Sequence, residues 1–217
     1  MVALAFFMYA LTSIFVIVNP IGAMFTFMSL TSEKDHKERI RLGARSVLIG
    51  CLLAIIFAIS GELILQFFGV TVDSLRVAGG IILFKVALDM VYAKTSRESF
   101  TEEERKDAKD RDDISVFPVA MPLLTGPGTI TTVIVVIRSV PTVELKFVAI
   151  LAILVTFAIT FLMFRFSSPL SKILGVTVTL VFTRIMGLLL GAIAINFLAT
   201  GIKNIFIFRG YKKIIVG

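Results

Sequence analysis

The sequence predicts an all-α membrane protein: six transmembrane helices forming two inverted three-helix repeats, with helices 1 and 4 broken at NPIG and TGPG. Three observations carry that expectation. Apolar residues make up 57% of the 217-residue chain and mean hydropathy is +0.97, against roughly 45–50% apolar in soluble domains. Several apolar runs reach the roughly 20 residues a helix needs to cross a bilayer. Two helix-breaking clusters, Asn19-Pro20-Ile21-Gly22 and Thr125-Gly126-Pro127-Gly128, interrupt such runs, and a break in lipid survives only inside protein or beside a watery cavity.

The spans fall at about 2–31, 44–68, 75–93, 114–137, 145–166 and 181–208. They form a single transmembrane domain with repeat one at 1–93, a cytoplasmic linker at 94–113 and repeat two at 114–209. Span 1 opens without a basic n-region or a small-residue cleavage site, so it is expected to stay in the membrane rather than be removed as a signal peptide. Within it, Pro20 has no amide hydrogen and Asn19 before it is pushed away from helical torsions. Gly22 lets a ligand approach the main chain.

The connection to span 2 carries Lys34, Lys37, Arg39, Arg41 and Arg45 together with His36, the only histidine. In so charged a loop His36 reads as solvated rather than as a metal ligand. Span 2 holds Cys51, the only cysteine, which excludes an internal disulfide and a cysteine-based metal site. Glu62 lies toward the opposite end without an obvious local partner, in a coupling, helix-pairing or interfacial role. Span 3 places Lys85 and Asp89 four apart, on one helix face and within ion-pairing reach. Charges at this depth are costly and mark either function or a buried structural pair, so Asp89 reads as a proton or sodium coupling residue or as half of such a pair.

The linker adds Lys94, Arg97, Arg105, Lys106, Lys109 and Arg111 on the same side of the membrane. With Arg165 and Lys172 near the connection between spans 5 and 6, this face is the more basic, which puts it in the cytoplasm and both termini outside. The net charge of +7 is thereby explained by orientation in the cell membrane, and no nucleic-acid partner is expected. Span 4 surrounds its break with Thr125, Thr129, Thr131 and Thr132. Span 6 carries Gly187-x-x-x-Gly191, read as close helix packing within the chain more than as an oligomer interface.

Landmarks recur at a nearly constant offset. Pro20 returns as Pro127 after 107 residues, Gly69-Val70-Thr71-Val72 as Gly175-Val176-Thr177-Val178 after 106, and Arg76-x-x-Gly79 as Arg184-x-x-Gly187 after 108. The offset also sets Asn196 of span 6 against Asp89. A duplicated half with an odd number of spans must enter the membrane from the opposite side, and its site is expected between the halves near the midplane.

An opened helix offers N–H groups where its second half begins and C=O groups where its first half ends. That pairing suits a zwitterion. A carboxylate would rest near Ala23 or Thr129, and an ammonium on the carbonyls before each break with the Asn19 or Thr125 side chains. Enzyme chemistry is not expected, because no Ser–His, paired-aspartate or metal constellation lies within the spans. No cofactor is expected, and no GxxxxGK[ST] run supports a nucleotide-driven pump.

The runs NPIGAMFTFMSLT in span 1 and PLLTGPGTITT in span 4, with the six-span plan, resemble the MarC family of integral membrane proteins over essentially the whole chain. Within that family the chain looks similar to SnatA-type transporters of small neutral amino acids. The resemblance implies carriage of glycine and alanine, coupled to a proton or sodium gradient, at the unwound parts of spans 1 and 4. These map here onto Asn19, Pro20, Gly22, Thr125, Gly126, Pro127, Gly128 and Thr129, with Asp89, Lys85, Asn196 and Glu62 as a further polar network. The competing expectation is a passive channel, or an exporter of another small solute, using the same broken helices.

Overall fold

Prolines, caps and left-handed residues divide the described residues into eight helical segments. The structure, a computed structural model, describes residues 2–92 and 113–215. The segments are α1 (Val2–Val18), α2 (Pro20–Leu30), α3 (His36–Phe67), α4 (Val72–Val91), α5 (Ser115–Leu124), α6 (Pro127–Arg138), α7 (Val143–Arg165) and α8 (Ser167–Ile215). The proposed linker, apart from Asp113, lies outside the described residues.

The protein is an all-helical membrane protein, and its described residues hold four clear apolar spans, Val2–Leu30, His36–Phe67, Val143–Arg165 and Thr177–Phe206, and a fifth if the bent pair α5 and α6 counts as one. Helix α4 has 20 residues but carries Asp73, Arg76, Lys85 and Asp89, which sets it apart from the apolar group. Isoleucines, leucines and phenylalanines cover the outward faces, as an environment of lipid tails requires.

Two boundaries depart from the sequence expectation. Helix α3 begins at His36 rather than near 44, because the Asp35 carboxylate accepts the Glu38 N–H at 2.7 Å and caps a charged first turn that projects beyond the apolar run. Helix α8 begins at Ser167 rather than near 181, and breaks at Gly175, whose φ of 63° and ψ of 175° leave helical space. Gly69, after α3, has a φ of 64°. Only glycine takes such torsions without strain, and these two glycines are partners in the sequence repeat.

Other boundaries recur at the same spacing. Pro20 and Pro127 each occupy the first turn of a helix. Asp35 caps α3 and Thr142 caps α7, each through its side chain to the N–H three residues on. The packing is reciprocal too: α1 lies on α7 as α5 lies on α3, α2 on α7 as α6 on α3, and α2 on α8 as α6 on α4.

The most extensive contact joins α4 and α8. A Cβ on Gly80 would come 3.0 Å from the Ala194 carbonyl, and one on Gly187 3.0 Å from that of Ala87. The glycines therefore bring the two helices together within one chain. Asn204 of α8 and Arg76 both donate to the Asp73 carboxylate, at 3.0 and 2.9 Å, and fasten one end of the pair. A second core joins α1, α2, α3 and α7, where Phe27 stacks on Phe164 with centroids 4.4 Å apart.

Helix α3 meets the α5–α6 unit at both of its ends. Arg45 pairs with Asp113 just before α5, and Glu62 pairs with Arg138 at the end of α6. The Ser115 hydroxyl, then the Ser115 N–H, donate to Asp113, and Arg45 and Arg41 add attraction; together they hold its carboxyl below the usual range. A depressed carboxylate contributes stability that is present above its unfolded pKa of ~3.9 and lost as pH falls through the folded value. Melting curves of the wild type and Asp113→Asn should therefore differ by a constant amount from neutrality to about pH 4, and converge below it. A gap that does not change in acid would remove Asp113 as the group responsible.

Candidate functional site

At the first break, the clash between Pro20 and its predecessor drives Asn19 out of right-handed helical space. Asn19 takes the left-handed region instead, with φ 47° and ψ 65°, a conformation asparagine tolerates better than most residues. Its side chain then accepts the Gly22 N–H at 3.2 Å, while its carbonyl accepts the Ala23 N–H at 2.9 Å. Of the two expected carboxylate positions, Ala23 and Thr129, the first is corrected here: the Ala23 amide is already bound within the chain and is not free to hold a carboxylate.

The second break is larger. Pro118 and Pro122 remove two donors from α5, and the residues before them, Phe117 (φ −126°, ψ 129°) and Met121 (φ −138°, ψ 126°), are extended, as pre-proline sterics dictate. Both X–Pro bonds are cis. The surviving α5 bonds reach five residues back, from Val119 N–H to Ile114 and from Thr125 N–H to Ala120, which is π-helical spacing. After Gly126 the chain resumes as α6, bent 57° from α5.

The threonines largely secure this break. Thr125 Oγ1 donates to the Gly50 carbonyl of α3 at 2.8 Å, and Thr129 Oγ1 to the Leu124 carbonyl at 3.0 Å. Thr131 packs where α4 has only Gly79. The Thr132 hydroxyl is buried without a hydrogen-bond partner.

What the threonines leave open is main chain. Pro127 has no N–H, and the Gly128 and Thr129 amides find no acceptor among the described residues; the first backbone bond of α6 runs from Ile130 to Gly126 at 3.0 Å. On the other side of the break the Pro122 and Leu123 carbonyls receive no donor among the described residues. All four residues line a cavity of about 240 Å³, together with Gly126, Pro127, Ile17 of α1 and Ile82 and Val86 of α4. Among the described residues no charged side chain lines it. It thus presents two orphan donors carrying the positive end of a helix dipole, two orphan acceptors and an apolar wall.

The structure brings Gly126, Pro127, Gly128 and Thr129 together in this cavity. It leaves Asn19, Pro20, Gly22 and Thr125 outside the lining. Ile17, Ile82, Val86, Pro122 and Leu123 were missed; the prolines at 118 and 122 were the signal that the break extends upstream of Thr125.

The polar network is also redrawn. Lys85 is exposed, Asp89 is half-buried, and they form no ion pair with each other. Asp89 lies on the face of α4 that carries Ile82 and Val86, at positions i+7 and i+3 from them. Asn196 is exposed and accepts from Thr200 at 3.4 Å. Glu62, expected to lack a local partner, is paired with Arg138 and accepts from Gln66; a partner 76 residues away is invisible to a local scan. Among the described residues, no group of His, Cys, Asp and Glu could hold a metal ion.

Residues 4–206 match the family model described as MarC family integral membrane protein. The chain is similar to the UPF0056 membrane protein MJ0972 of Methanocaldococcus jannaschii, 34% identical over 203 residues, which covers 94% of this chain and 89% of the relative. It is also similar to the UPF0056 membrane protein YvbG of Bacillus subtilis, 34% identical over 203 residues, covering 93% and 96%. The UPF0056 membrane protein YhcE of Escherichia coli is 35% identical over 193 residues, covering 89% and 90%. No solved structure matches the chain.

Proposed function

The chain belongs to the MarC family of integral membrane proteins, and from that premise we propose that it is a secondary active transporter of small neutral amino acids such as glycine and alanine. The carboxylate rests on the Gly128 and Thr129 amides, and the ammonium meets the Pro122 and Leu123 carbonyls. A small side chain lies against Ile17, Ile82 and Val86. The observation that carries this reading is the pairing of orphan donors with orphan acceptors in one uncharged cavity. Its volume, about 240 Å³, falls below the roughly 300–1,000 Å³ usual for drug-sized ligands, which favours a small solute.

Two inverted three-helix repeats that rock around this site are the proposed means of alternating access. The matched caps, the paired left-handed glycines and the reciprocal packing support that reading, with α4 as the third membrane helix of the first repeat. Asp89 is the proposed coupling residue, because it shares the cavity-facing side of α4 and has no ionic partner among the described residues. The basic connections favour the cell membrane with both termini outside.

Purified protein in liposomes is expected to accumulate labelled glycine under an imposed proton or sodium gradient, and unlabelled alanine should compete. An excess of unlabelled glycine inside should drive counterflow. Absence of concentrative uptake with both ions would sink the proposal, and downhill flux without counterflow would identify a channel instead.

A further inference from the structure

A second cleft, independent of the transport site, lies where the ends of α3 and α6 meet the start of α7. Its volume is about 230 Å³, and Glu62, Arg138 and Lys146 line it beside apolar residues. Three of the latter, Ile59, Val143 and Phe147, are exposed on the outer face of the bundle. The Arg138 charge is engaged by Glu62. Lys146 is half-buried and has no partner among the described residues, so the cleft carries one uncompensated cation beside a greasy wall.

The position equivalent to Lys146 shows what such a cation normally requires. Arg39 stands four residues after the Asp35 cap of α3, as Lys146 stands four after the Thr142 cap of α7, and each closes the first backbone bond of its helix. The Arg39 guanidinium donates to the Thr31 carbonyl at the end of α2, at 3.1 Å, and to the Ser168 hydroxyl at the start of α8, at 3.5 Å. The chain supplies acceptors for both terminal nitrogens of Arg39. Around Lys146 the corresponding end of α6 offers another cation, Arg138, and open space.

We propose that this cleft binds the phosphodiester headgroup of an anionic membrane phospholipid. Lys146 is its principal cation, and Arg138 shares its donors between Glu62 and the phosphate. The acyl chains run down the wall of Ile59, Val143 and Phe147, which a water-soluble anion would leave uncovered. Long cationic side chains at a membrane surface reach outward to headgroups in this way, and basic pockets between spanning helices hold them.

The test is native mass spectrometry and thermal melting of the delipidated full chain in mixed micelles carrying phosphatidylglycerol or phosphatidylcholine. One phosphatidylglycerol should be retained in preference to phosphatidylcholine. Lys146→Gln should weaken that binding about fivefold, the effect of one cation near a membrane surface, and Lys146→Arg should preserve it. Lys203→Gln, at an exposed position on α8, should leave it unchanged. Undiminished binding in Lys146→Gln, or an equal loss in Lys203→Gln, would overturn the site. Equal protection by inorganic phosphate alone would overturn the lipid assignment.

Discussion

Replacing Gly126 by alanine should lower transport at least about tenfold while leaving insertion intact. The backbone there, φ −82° and ψ −178°, is extended and open to any residue, so no torsional strain enters. The added Cβ would instead lie 2.5 Å from the Pro122 carbonyl oxygen. That atom is main chain and cannot swing aside, and it is one of the two acceptors assigned to the ammonium. Displacing it alters the site and the 57° junction between α5 and α6 together. A displacement costing ~1.4 kcal/mol already makes the tenfold difference. Gly22→Ala is the informative control. Its Cβ would collide with the Asn19 side-chain amide, which can rotate, so the loss should be smaller. Initial uptake rates, normalised to the monodisperse protein recovered, check both variants, and wild-type uptake by Gly126→Ala would move the substrate away from this break.

Phe27→Ala should give the largest loss of stability. Its ring is fully buried, 7° from parallel with Phe164, and its Cζ would be 3.2 Å from a Cβ on Gly43. It therefore wedges α2 against both α3 and α7. Lipid tails are as apolar as the side chain, so the transfer contribution that dominates in water is weak between membrane helices. The cavity contribution persists: roughly 100 Å³ vacated at about 24 cal/mol per Å³ gives ~2 kcal/mol. Reversible unfolding in bicelles would measure it, and Phe27→Leu should restore about half. A loss below about 0.5 kcal/mol would mean that the ring's neighbours collapse into the space.

Much of this architecture could be read from residues one at a time. Pro20 and Pro127 marked helix starts, because proline suits a first turn and excludes the torsions before it. The repeated Gly-Val-Thr-Val runs pointed to Gly69 and Gly175, both of which adopt left-handed torsions. What remained hidden depends on distant partners or on chemistry already consumed. Nothing near Glu62 in sequence announces Arg138. The asparagine that opens the first break also seals it, so the Asn19 cluster has fewer free groups than the second. Spacing put Lys85 and Asp89 within ion-pairing reach, yet four-residue separation does not compel two side chains to meet.

Helix α3 has one further consequence. The seventeen residue steps from Arg45 to Glu62 correspond to ~26 Å of helix rise, close to the roughly 30 Å depth of a bilayer's hydrocarbon. Both ends of that interval are tied by charge to the α5–α6 unit. The helix is in effect a ruler with ionic end stops. A thicker membrane would draw one stop into oil unless the helix tilts upright or the lipid thins around it. Chain length of the surrounding lipid thereby becomes a mechanical input to the junction where the candidate site lies.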